Sequence, residues 1–176
     1  NCGNSISCST IVTISNLPVV DAGTYADICI DSSPIVLSGT PSGGTFSGPG
    51  VIGSSFDPLV SGVGTHTIDY VFTDPNGCSN SASTTITVHD NPVLVITNPA
   101  EVCDTETVDL TAPAITAGSD ASLTFTYYTD AGATNPIIDE TAIAISGTYY
   151  IMAISTATGC VAIMPVEVVI NPLTTL

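Results

Sequence analysis

Two stretches of this chain follow one plan. Pro18 opens a segment that reaches Cys29, and Pro92 opens one that reaches Cys103; both gaps are 11 residues and the offset is 74. An acid–hydroxyl pair follows each cysteine, Asp31-Ser32 and Asp104-Thr105, and an apolar run comes next, through Leu37 in one copy and Leu110 in the other. The later halves match more closely. The stretch from Gly64-Thr65-His66-Thr67-Ile68 to Asn76-Gly77-Cys78 parallels the one from Gly147-Thr148-Tyr149-Tyr150-Ile151 to Thr158-Gly159-Cys160. Each leads into an alternating strand, 83–88 and 166–170, and then into Asn-Pro, at Asn91-Pro92 and Asn171-Pro172. Self-similarity at this period means successive small modules rather than one large core.

The boundaries follow from the repeat. Residues 1–17 contain Ser9-Thr10-Ile11-Val12-Thr13-Ile14 and then Asn16-Leu17-Pro18, the expected last strand of a preceding repeat. Residues 18–90 form repeat 1, residues 91–171 form repeat 2, and residues 172–176 begin a following one. The joining segment, Val88 to Pro92, is short and stiffened by proline, so an array of such modules is expected to be rod-like.

Within each repeat the apolar pattern has period 2 and no window shows a helical period. His66, Ile68, Tyr70 and Phe72 fall on one strand face, with Thr65, Thr67, Asp69 and Thr73 on the other; Leu123, Phe125 and Tyr127 alternate with Thr124, Thr126 and Tyr128. Gly43-Gly44, Gly48-Pro49-Gly50 and Asp74-Pro75-Asn76-Gly77 carry turn chemistry. The expected fold class is all-β: tandem Ig-like β-sandwich domains in a rod-like array.

Charge excludes several functions. The 176 residues include 16 Asp and Glu, no Lys and no Arg, for a net charge of −16. Phosphate recognition and anionic membranes need cations, so no nucleic-acid partner and no membrane insertion are expected. No apolar run reaches the ~18 residues of a membrane span. With hydrophobic residues at 44%, the acidity is not that of a disordered tail. Without Lys or Arg, stability rests on apolar burial, hydrogen bonds and crosslinks.

Six cysteines without a Cys-x-x-Cys pair, beside only two histidines, suggest disulfides in an oxidising compartment. Within each repeat one cysteine opens an early strand and the other sits at the last hairpin, points that an antiparallel sandwich can bring to the same end. The expected pairs are therefore Cys29–Cys78 and Cys103–Cys160. Cys2 lies near the hairpin position of a preceding repeat, which puts its partner upstream; Cys8 occupies the position of Ala82, and a Cys2–Cys8 pair is the alternative.

The stretch Gly64 to Val88, with Thr73-Asp74-Pro75-Asn76-Gly77-Cys78, resembles the last strands of PKD-type and related Ig-like domains. The run Leu37-Ser38-Gly39-Thr40-Pro41-Ser42-Gly43-Gly44-Thr45-Phe46-Ser47-Gly48, with Gly64-Thr65-His66-Thr67, resembles repeats of very large Bacteroidota surface proteins, among them gliding-motility adhesins exported by type IX secretion. Thr126 to Ala131 and Ser146 to Ile151 resemble a companion repeat of those proteins. The chain has no Trp, and so lacks the Trp-x-Phe-Gly-Asp-Gly motif of ordinary PKD domains. The resemblance implies an extracellular, cell-surface adhesin or filament segment and not an enzyme, with neighbouring repeats as partners, and surface polysaccharide or like subunits as further ones. The alternative is a pair of carbohydrate-binding accessory modules of a secreted hydrolase.

Individual residues offer limited chemistry. His66 lies on an apolar strand face and His89 in the joining segment, so neither marks a Ser-His-Asp site. Adjacent Asp139 and Glu140 point apart on an extended chain and do not form a two-carboxylate hydrolase site. No cofactor is required; calcium, a cation that takes oxygen ligands, is the candidate, with Asp74 and Asn76 in one turn and Asp21, Asp90 and Asn91 near the repeat junctions. Tyr128 and Tyr150 form an outward aromatic pair suited to sugar stacking or a subunit contact. Ser32 and Thr105 are the O-glycosylation candidates, because Bacteroidota attach O-glycans at Asp-Ser/Thr sites.

Overall fold

The structure, a computed structural model, describes residues 15–173. Cys2 and Cys8 lie outside the described residues, as do the expected preceding strand at 9–14 and most of the expected start of a following repeat at 172–176. Among the described residues the first strands are β1 (Ile28–Cys29), β2 (Ile35–Val36), β3 (Thr45–Ser47), β4 (Val51–Ile52), β5 (Ser55–Phe56), β6 (Gly64–Thr73) and β7 (Ser79–His89). A single helical turn, Pro58–Ser61, interrupts them. The later strands are β8 (Val102–Cys103), β9 (Leu123–Tyr128), β10 (Gly147–Ser155), β11 (Val161–Val168) and β12 (Ile170–Asn171). The fold is all-β, as the alternating pattern requires.

Two compact units result. The first comprises the segment ending at Ala26 together with Ser33–Ser61 and Thr65–Ile86; the second comprises Asp27–Ser32, Gly62–Gly64 and the chain from Thr87 onward.

In the first unit β3, β6 and β7 form one sheet and β2, β5 and β4 another. Strand β6 buries Ile68 and Tyr70 and exposes Thr67, Asp69 and Val71 between them. Phe56 of β5, fully buried, faces the His66 ring of β6 at 6.1 Å between centroids, so the two sheets close on a shared core. Phe46 of β3 sits opposite Tyr70 in the ladder, with ring centroids 4.5 Å apart. The Tyr70 hydroxyl donates to the Pro41 carbonyl and accepts from the Gly44 N–H. That ring fits because positions 39 and 44 lack a Cβ: one built at Gly39 would meet it at 2.5 Å, and one at Gly44 would meet it at 2.5 Å and the Val71 carbonyl at 2.4 Å.

In the second unit β9 and β11 flank β10 in an antiparallel sheet. Its inner face supplies Ile151, Val166 and Val168 to a core completed by Val108, Leu110, Ile115 and Ile143 from the irregular segments packed over it. Val108 and Ile143 exchange backbone hydrogen bonds at 2.9 Å, which anchors those segments to each other. Pro165 lies within β11, a sheet edge, where a residue without an N–H is tolerated.

Candidate functional site

The feature that recurs with the repeat is a strand-end joint. Ile28 and Cys29 run parallel to Val88 and His89; Val102 and Cys103 run parallel to Ile170 and Asn171. The hydrogen bonds repeat with the ladder. Ile30 N donates to the His89 carbonyl at 2.9 Å, and Asp104 N to the Asn171 carbonyl at 3.0 Å. Ser32 N donates to the Cys29 carbonyl, and Glu106 N to the Cys103 carbonyl. Cys29 N donates to Ser32 Oγ at 3.2 Å, and Cys103 N to Glu106 Oε2 at 3.4 Å. Ser32 and Glu106 are 74 residues apart, the repeat offset, so two chemically different acceptors serve one backbone geometry.

The hairpin cysteines recur as well. Asp74 N donates to the Cys78 carbonyl at 2.9 Å, and Ser155 N to the Cys160 carbonyl at 2.9 Å. Cys78 N is held by Asp74 Oδ1 and Cys160 N by Thr158 Oγ1.

The disulfide runs between these two features, but not as expected within each repeat. Cys29 is bonded to Cys160, 131 residues away, with Cα atoms 5.6 Å apart; Cys78 and Cys103 are free thiols. This corrects both the Cys29–Cys78 and the Cys103–Cys160 pairing. The reason lies in strand length. Cys29 lies beside His89, eleven residues beyond Cys78 along β7, and Cys103 lies beside Asn171, eleven residues beyond Cys160. At about 3.3 Å per extended residue each expected pair stands roughly 35 Å apart, whereas a disulfide needs Cα atoms within about 7 Å. Strand-end and hairpin cysteines of one repeat sit at opposite ends of its last strand. Cys29 and Cys160 both belong to the second unit, which takes Asp27–Ser32 from the first sequence repeat. Cys160 is buried there, 1% exposed.

Sequence reasoning missed a side-chain contact beside this joint. His89 Nε2 lies 3.3 Å from Asp27 Oδ2, within hydrogen-bonding distance. The two residues are 62 apart in sequence, and no spacing rule links them.

The remaining candidates are dispersed. Tyr128 and Tyr150 stand directly opposite each other in the β9–β10 ladder, on the face away from the buried Ile151 and Ala153. Both are half-buried, not fully exposed as an outward pair would be. Beside Tyr128 is a shallow depression of about 200 Å³, also lined by Phe125, Tyr127, Ile137 and Glu140. Burial pushes the Tyr127 hydroxyl above its ordinary pKa, with the Glu140 and Asp109 carboxylates adding to the shift.

The carboxylates offered for calcium hold turns. Asp74 Oδ1 accepts from Asn76 N at 2.9 Å and from Cys78 N at 2.8 Å; Asp21 Oδ1 accepts from Gly23 N and Asp90 Oδ1 from Asn91 N. Asn91 Oδ1 is buried without a hydrogen-bond partner. Among the described residues no three His, Cys, Asp or Glu side chains gather into a metal-binding group. Ser32 is half-buried with its hydroxyl engaged by Cys29 N, and Thr105 is exposed. Asp139 caps Thr141 through its N–H and hydroxyl. Asp130, which the sequence did not single out, collects Asn135 N at 2.7 Å, Thr134 N at 3.2 Å and the Thr134 hydroxyl at 2.9 Å. The Asn135 N–H, then Thr134, hold its carboxyl below the ordinary carboxylate pKa.

No protein-family model matches the chain, and no curated protein does. Among solved structures it is similar to a SusE-like, surface-located polysaccharide-binding protein from the Bacteroides thetaiotaomicron heparin utilisation locus, at 12% identity and TM-score 0.36, over 86% of this chain and 34% of that one. It is similar to SGBP-B of the Bacteroides ovatus mixed-linkage glucan utilisation locus, solved with a mixed-linkage heptasaccharide, at 14% identity and TM-score 0.29, over 84% of this chain and 43% of that one. It is also similar to immunoglobulin domains 1–5 of Sidekick-1, at 12% identity and TM-score 0.30, over 85% of this chain and 38% of that one. The chain thus spans less than half the length of each. Likeness at this level assigns no function. Among the described residues no helix is long and apolar enough to cross a membrane.

Proposed function

We propose that the chain is a non-catalytic structural and adhesive repeat segment of a long secreted cell-surface adhesin or extracellular filament. The observation that carries this reading is the recurrent joint: the ladder of Cys29 beside His89 is rebuilt, bond for bond, as Cys103 beside Asn171. A backbone geometry reproduced at each module's last strand suits a chain built by addition of like modules. The residues that would otherwise suggest catalysis have other roles: His66 packs at Phe56, and Cys160 is bonded to Cys29. Extracellular location fits a disulfide and the absence of Lys and Arg, which leaves trypsin-like proteases no cleavage site.

Negative-stain microscopy of the native full-length product tests the reading. Long, thin, beaded fibres are expected; a compact globule would overturn it. Repeating the imaging in chelator tests calcium at the repeat junctions, where Asp21, Asp90 and Asn91 are the candidates: softened fibres would support it, and unchanged fibres would remove it. The finer assignment, a gliding-motility adhesin exported by type IX secretion, rests on the sequence resemblance. Loss of the protein from the cell surface on deletion of that secretion system is its expected signature.

A second reading, carbohydrate binding, is favoured by the Tyr128–Tyr150 pair beside the Phe125–Glu140 depression. It predicts saturable polysaccharide binding that Tyr128→Ala or Tyr150→Ala abolishes.

A further inference from the structure

Among the described residues of the second unit, two carboxylates are half-buried, Asp130 and Glu140. Asp130 is well served, by Asn135 N and by the N–H and hydroxyl of Thr134. The Glu140 side chain accepts no hydrogen bond from a described residue; only its backbone carbonyl is used, by Leu110 N at 2.9 Å. No cation of the chain answers it either. There is no Lys or Arg, His66 packs at Phe56, and His89 lies beside Asp27. A partly buried charge with neither donor nor counter-charge costs free energy that a bound cation removes.

The surroundings of Glu140 suit an organic cation. It lines the depression of about 200 Å³ together with Phe125, Tyr127 and Tyr128, and aromatic rings attract cations. Burial, then the Glu140 and Asp109 carboxylates, hold the Tyr127 hydroxyl above its ordinary pKa, so it stays a donor in a negative field. The Thr126 hydroxyl lines the same depression, buried and without a hydrogen-bond partner. Polar groups left in that state call for a partner from outside.

We infer that this depression takes the ammonium group of an amino-sugar polysaccharide, with Glu140 as its counter-charge. The inference rests on the carbohydrate reading and narrows it to one class of glycan. Tyr128 belongs both to the depression and to the pair with Tyr150, so a saccharide stacked on the pair lies beside the carboxylate. A partner's lysine side chain would answer Glu140 alone and leave Tyr150 uncovered. Acidic glycans are repelled by a chain of net charge −16 that has no cation to hold them.

Calorimetry on the full chain tests this with two oligosaccharides of equal length, one of glucosamine and one of N-acetylglucosamine. They differ in ammonium against amide, at a mildly acid pH that keeps the sugar amine protonated. The glucosamine oligomer is expected to bind more tightly. Glu140→Gln should weaken it by roughly tenfold, the usual worth of one charge-assisted hydrogen bond, and leave the N-acetylated oligomer unchanged. Asp104→Asn removes the same charge at an exposed site and should alter neither. Tyr128→Ala should weaken both. Equal affinity for the two oligomers, or a loss in Glu140→Gln no greater than in Asp104→Asn, would overturn the inference while the carbohydrate reading stands. Binding of neither oligomer, with a lysine peptide bound through Glu140 instead, would overturn both.

Discussion

Single residues decide where this chain can bend and what it can bury. Gly39 and Gly44 are required by the Tyr70 ring, whose hydroxyl ties the 41–44 turn to β6. Gly44→Ala should destabilise the first unit by about 1–3 kcal/mol, the usual cost of overpacking a fitted site, seen as a lower urea midpoint. Tyr70→Phe, which keeps the ring and loses the hydroxyl, should cost about 1 kcal/mol. Asp130 gives a pH signature. Its folded-state pKa is depressed, so its contribution is present above the unfolded value and is lost as pH falls through the folded one. The protection of the Thr134 and Asn135 amides relative to their intrinsic exchange rates should therefore fall as the pH is lowered through that range, and Asp130→Asn should flatten the dependence. An unchanged profile in the variant would remove Asp130 as the cause.

At the scale of elements, period-2 alternation reads β6 correctly, because a half-buried strand must send Ile68 and Tyr70 one way and Asp69 the other. It also places Tyr128 opposite the face of Phe125 and Tyr127. What it does not carry is which ends of strands meet. The expected Cys29–Cys78 pair took two points as lying at one end of a sandwich when β7 separates them by its full length. Counting from Cys78 to His89 gives that length, but only the parallel pairing of β1 with β7 shows that Cys29 belongs at the far end. The second unit was less legible still. Val108, Leu110, Ile115 and Ile143 pack its core from segments with almost no ladder, so no period marks them. Because the disulfide ties β1 to the β10–β11 hairpin, Cys29→Ala should lower the stability of the second unit by about 2–4 kcal/mol. Hydrogen-exchange protection should fall first at Ile28, Ile30 and Cys160, and equal loss throughout the first unit would contradict that placement.

For the whole molecule, the absence of Lys and Arg removes the usual surface ion pairs and leaves uniform negative charge, which opposes lateral clumping at low salt. Cohesion between modules then has to come from backbone pairing, apolar contact and covalent links. Cys29–Cys160 ties a segment of the first sequence repeat to the hairpin of the next within the second unit, and the account of it depends on strand-end and hairpin cysteines sitting at opposite ends of each last strand. The most direct test is a disulfide map of the monomeric chain, digested beside Asp without reduction and read by mass spectrometry. The account predicts a Cys29–Cys160 peptide pair with Cys78 and Cys103 unlinked. A map showing Cys29–Cys78 together with Cys103–Cys160 would contradict it, because each repeat would then be closed on itself.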